Sequence, residues 1–108
     1  MDDNSHGTHV AGIAAADGTM KGVAPGATIY AYKVLSNSGS GSEEDIIKAI
    51  ERAVDPNGDG DDSDAVDVIN MSLGGPADST GPFARSVNHA SYSAVIVCAA
   101  GNSGSSSP

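Results

Sequence analysis

The side chains of this 108-residue chain that could do chemistry are His6 and His9, an acidic run from Asp55 to Asp67, and Asn102 between two glycines. An imidazole has an unperturbed pKa near neutrality, so His6 is suited to taking up and returning a proton. His6 and His9 lie three residues apart. A zinc-protease helix needs a spacing of four and an intervening Glu, and neither occurs here. His9 is therefore expected to pack or hydrogen-bond beside the helix that His6 begins. The Asn102 amide is a neutral hydrogen-bond donor, although Asn between Gly101 and Gly104 also suits an ordinary turn.

The segment Asp55-Pro56-Asn57-Gly58-Asp59-Gly60-Asp61 has the spacing of a calcium loop. Asp55, Asn57 and Asp59 stand at its first, third and fifth positions, and Gly60 at the sharp turn. The candidate ligands are Asp55, Asn57, Asp59 and Asp61; the twelfth position should be a bidentate Glu but is Val66, so Asp62, Asp64 or Asp67 would have to serve with different geometry. The competing reading is a solvated acidic loop. Gly39-x-Gly41 between a strand and a helix invites a dinucleotide site. Glu44 stands where the third Gly belongs and would repel a pyrophosphate, which excludes that reading. Cys98 is the only cysteine, so there is no internal disulfide, and its apolar neighbours make it a small core residue.

Helix-like and strand-like segments alternate, which predicts an α/β layer architecture. Helices are expected over 6–16, 43–54 and 82–93, with buried strands over 27–35, 66–71 and 94–100. Ser42 has Asp45 three residues on, a capping-box arrangement, and Ile46, Ile47, Ile50 and Val54 recur at helical spacing. Glu43, Glu44 and Asp45 complement the dipole of that helix. Phe83, Val87 and Ala90 are expected to face inward. Gly22 and Pro25 mark a turn, Gly74-Gly75-Pro76 ends the second strand, and 101–108 read as a flexible Ser/Gly-rich end. Strand, helix, strand in succession implies parallel pairing.

The formal net charge of −9 disfavours nucleic acid and anionic membranes as partners. No stretch has the length of a membrane span, and no signal peptide is evident.

Three segments occur in an order that resembles the subtilisin-like serine proteases (subtilases, peptidase S8 family). They are Asn4-Ser5-His6-Gly7-Thr8-His9-Val10-Ala11-Gly12, Val68-Ile69-Asn70-Met71-Ser72-Leu73-Gly74-Gly75 and Ala99-Ala100-Gly101-Asn102-Ser103-Gly104. The resemblance implies a three-layer subtilisin-like α/β fold with a parallel sheet, here incomplete. Residues 1–108 would form part of one catalytic domain, from the His-motif helix to the oxyanion-Asn loop. It further implies that His6 is the general base, that Asn102 donates to the oxyanion, and that Ser72, Leu73 and Gly74 form one wall of the substrate groove. Gly39, Ser40 and Gly41 align with the opposite rim, unless they form an ordinary flexible loop. A peptide or protein substrate would lie between the walls as an added strand. The family's calcium loop after the His motif has little room between Ala16 and Gly22, and that metal site is not carried over.

The family's Asp strand and its Gly-Thr-Ser-Met-Ala type nucleophile segment have no counterpart here. Asp2 and Asp3 read as exposed residues at a chain start. The expectation is a portion of an extracellular serine endopeptidase, inactive alone. Its apolar surface would be exposed or covered by a second copy, as a homodimer that could exchange an element. The alternatives are a non-catalytic subtilase-derived module that binds peptides or itself, and a calcium-binding structural module around Asp55 to Asp67.

Overall fold

The computed structural model describes residues 2–74 and 80–102. Gly75 and Pro76 of the strand-ending turn, and all of the 101–108 end beyond residue 102, lie outside the described residues. The elements in chain order are α1 (His6–Ala15), α2 (Glu43–Val54), a short 3-10 turn (Asp62–Asp64), β1 (Val68–Met71), α3 (Pro82–Ala90) and β2 (Val95–Cys98). Two compact units divide them, Met1–Ile46 and Ile47–Pro108. No helix among the described residues is long and apolar enough to cross a membrane.

In the first unit, α1 is made of small residues and contains none that is buried. Hydrophobic burial therefore contributes little to it, and its unpaired backbone ends decide its stability. At the carboxyl end the turn that follows supplies the missing donors. Ala16 N donates to Gly12 O at 3.1 Å, Val23 N to Ile13 O at 3.0 Å, Ala24 N to Ala14 O at 2.8 Å and Gly26 N to Ala15 O at 3.3 Å. Four orphan carbonyls are thus satisfied by backbone. Asp17 and Lys21 close the intervening loop with a bridge and a 2.6 Å ion pair. The turn read from Gly22 and Pro25 is in effect the cap of α1.

Residues 27–35 do not form the buried strand that their apolar content predicts; no strand is present there. Ile29, Tyr30 and Tyr32 are exposed. A strand exists through its ladder partners, and among the described residues none pairs with this segment.

The second unit holds the core, to which Ile50, Ala53 and Val54 of α2, Met71 of β1, Ala90 of α3 and Ala94 contribute. Ser42 caps α2 as expected, its Oγ accepting from Asp45 N at 3.2 Å. Phe83 and Val87 are half-buried on the side of α3 that ends in buried Ala90. β1 and β2 pair in parallel, with Val68 opposite Val95 and Met71 opposite Cys98, and α3 lies between them in the chain. One face of the pair carries Ile69, half-buried Ile96 and buried Met71. The other exposes Val68, Val95 and Val97 at 55%, 62% and 47%. Parallel sheets are ordinarily covered on both faces, so this apolar surface is the exposure the sequence led one to expect. Cys98 is exposed rather than buried. It ends a strand that has one neighbour among the described residues, so its apolar run does not translate into burial.

A side chain at Gly22 would place its Cβ 2.7 Å from Ala15 N, Ala16 N and Gly12 O, all backbone atoms. Gly22→Ala should therefore destabilise the chain by about 1–3 kcal/mol. That corresponds to a melting temperature at least about 4 °C lower. Gly12→Ala, where a Cβ meets nothing within 4 Å, is the control and should not lower it.

Candidate active site

His6 is the first residue of α1 and is exposed. The residue before it, Ser5, has φ 76° and makes no capping bond with its own side chain. A non-glycine residue in this left-handed region costs about 1–2 kcal/mol, so neighbouring contacts must hold it. They come from Asp2. One of its carboxylate oxygens accepts from Asn4 N at 2.9 Å and Ser5 N at 2.8 Å. The other accepts from Thr8 N at 2.8 Å and Thr8 Oγ1 at 2.6 Å. Asp2 does from outside the helix what an N-cap side chain ordinarily does from its first position. The Thr8 hydroxyl above all, and then the backbone amides, hold the Asp2 carboxyl far below the usual carboxylate range.

Asp3 pairs with Lys33, whose ammonium keeps that carboxyl below its ordinary value. Asn4 Nδ2 donates to Asn37 O at 2.8 Å. These two contacts tie the turn before His6 to residues 33–40. There Ser36 N donates to Ser40 O at 2.7 Å and Gly39 N to Ser36 O at 2.9 Å, closing a tight loop. The hydroxyls of Ser36, Ser38 and Ser40 cluster within it, Ser36 to Ser38 at 2.8 Å. Gly39 is needed for its φ of 86°, and a Cβ at Gly41 would sit 2.0 Å from Val34 O. The loop thus requires both glycines for its own folding. The first unit brings the His6 turn and the Gly39–Gly41 loop together.

The second unit holds Ser72–Gly74 and Asn102. Because β1 and β2 are parallel, the segments that follow them leave at the same carboxyl end, and Ala99 N still donates to Met71 O at 3.1 Å. Ligands of α/β sheets bind at this end of the strands. Ser72 and Leu73 are half-buried, and Asn70 Nδ2 donates to Ser72 Oγ at 2.9 Å. Gly101, at φ 84°, turns the chain so that exposed Asn102 follows β2 closely.

In the acidic loop, carboxylate oxygens of Asp55, Asp59 and Asp64 lie within 4.8 Å of one another. Asp61 is not in that group, and the side chain of Asn57, like that of Asp61, is engaged within the loop. Their side-chain oxygens accept from Asp59 N at 3.2 Å and Ser63 N at 2.9 Å. His9 is exposed on α1, and the acidic loop is the sole set of such ligands among the described residues.

The Subtilase family model matches residues 1–108. The chain belongs to the subtilase family. It is 52% identical over 109 residues to Subtilisin DY of Bacillus licheniformis, covering 97% of this chain and 36% of that protein. It is 55% identical over 69 residues to the Minor extracellular protease Vpr of Bacillus subtilis, covering 64% of this chain and 8% of that protein. Among solved structures it matches Sphericase with a TM-score of 0.82 and 46% identity, covering 96% of this chain and 34% of that one. The fold is accordingly the subtilisin-like α/β fold, of which this subtilase chain spans about a third of its relatives' length or less.

Sequence reasoning missed Asp2, Asp3, Lys33 and Asn37 as supports of the His6 turn; Asp64, one of three acids it offered as a substitute ligand, is the one that joins Asp55 and Asp59. The signal for Asp2 was present: an N-cap residue type stands just ahead of a helix whose third residue, Thr8, offers both an amide and a hydroxyl.

Proposed function

We propose that this chain is the portion of a secreted subtilisin-like serine endopeptidase that carries the general base and the oxyanion donor. The observation that supports it most is the match of one family model to the whole chain, with His6 opening α1 and Asn102 following β2. The relatives carry the names of proteases, one of them extracellular.

In this reading His6 takes the proton from a serine hydroxyl as the oxygen attacks the scissile carbonyl carbon. The carbonyl π electrons move onto oxygen, and Asn102 Nδ2 donates a hydrogen bond to the resulting anion. His6 then returns the proton to the amide nitrogen as the C–N bond breaks. Water repeats the sequence on the acyl-enzyme, regenerating the serine. The peptide is held by main-chain hydrogen bonds, for which Gly39–Gly41 and Ser72–Gly74 are the candidate segments. The serine, and the acid that orients His6, come from family segments that these 108 residues do not contain. The isolated chain is then inactive, and the full-length gene product hydrolyses peptides. A chromogenic peptide, assayed with and without a serine-directed covalent inhibitor, tests both statements. Turnover by the full-length protein that the inhibitor abolishes, with none from the isolated chain, is expected. Inhibitable turnover by the isolated chain would contradict the assignment of the nucleophile. An inert full-length protein would favour a peptide-binding module.

A second reading concerns the acidic loop, where the convergence of Asp55, Asp59 and Asp64 supports calcium binding. A ligand that binds only the folded state raises the melting temperature as its concentration rises. Calcium titration should do so here and not in Asp55→Asn; an unchanged melting temperature would contradict it.

A further inference from the structure

We infer that Asp2 is a positioning residue for His6, fixing the direction in which its imidazole leaves the helix. The inference rests on the reading of His6 as general base. Asp2 binds on both sides of His6: the amides of Asn4 and Ser5 precede it, and the amide and hydroxyl of Thr8 follow it. One carboxylate therefore holds residues 4–8 with His6 at the centre, including the left-handed Ser5 that aims the chain into the helix. An ionised carboxylate offers about four lone-pair sites, and these four donors fill them. A carboxamide has one acceptor oxygen and can serve only one side of the clamp. Gly7 fits the same arrangement, since a Cβ there would lie 3.7 Å from Asp2 Oδ2, in ordinary contact. Because α1 buries no residue, no packed side chain would compensate for the loss of this clamp.

A general base works only when its nitrogen is held within hydrogen-bond reach of the proton it takes, and a displacement of about 1 Å can cost a hundredfold. The walls of the peptide groove do not include Asp2, so its removal should act on kcat rather than on KM. The test is steady-state hydrolysis by the full-length gene product carrying Asp2→Ala, Asp2→Asn, Thr8→Val or Thr8→Ser, each checked for folding by circular dichroism. The expectation for Asp2→Ala is a kcat lower by about ten- to a hundredfold, with KM within about twofold. Asp2→Asn and Thr8→Val should lose less, and Thr8→Ser, which keeps both bonds, should match the parent. If Asp2→Ala does not fold, Asp2→Asn decides by the same split between kcat and KM. An unchanged kcat in a folded variant, or a KM that rises in step with the loss, would overturn the positioning role while leaving the protease reading intact. An inert parent protein would instead overturn the protease reading, and the inference with it.

Discussion

Everything around His6 depends on how the two ends of α1 are satisfied. Ten residues of mostly Ala, Gly and other small side chains form a helix that buries none of them, so the usual source of helical stability in a protein, an apolar face packed on a core, is absent. What remains is the set of backbone groups that a helix leaves unpaired at its ends. At one end they meet a single carboxylate, Asp2; at the other, a run of backbone amides from Val23 to Gly26. The catalytic candidate sits at the end held by an ionised side chain. The opposite end, held by backbone alone, is where Gly22 admits no side chain. Small residues along α1 leave its surface available to close neighbours, and the cost is dependence on these terminal contacts.

The second unit solves its positioning problem in a different way. A short parallel pair, β1 and β2, sets the direction of two segments at once, because parallel strands end on the same side. Ser72–Gly74 and Asn102 follow the two strands at that same end, beside a core of α2, α3 and β1 residues. The same pair has an open valine face, consistent with a chain that spans about a third or less of its relatives' length.

Legibility in the sequence follows the range of the interactions involved. α2 is readable to its boundaries because its signals are local: Ser42 at the cap, acids in the first turn, and isoleucines at helical spacing. β1, β2 and α3 are readable in kind, because apolar runs and turn residues alternate. The 27–35 segment misleads because an apolar run records what a segment buries among partners, and no strand pairs with it among the described residues. Cys98 misleads for the same reason. Of the site, His6 and Asn102 stand out through their motifs, whereas Asp2 does not, because its four bonds reach up to six residues ahead. The glycines of the 36–41 loop suggest room for substrate when read in the sequence alone. The positive φ of Gly39 and the Val34 carbonyl beside Gly41 show that the loop needs them to fold.

The proposed role of Asn102 as oxyanion donor is measured most directly by the effect of Asn102→Leu on steady-state peptide hydrolysis by the full-length protein. An oxyanion donor acts on the transition state and not on the bound substrate. If Asn102 is such a donor, kcat should fall steeply while KM changes little. The yardstick is subtilisin, in which losing the corresponding donor costs about two to three powers of ten in kcat. A loss confined to KM, or no loss at all, would place Asn102 outside the reaction and contradict its role as oxyanion donor.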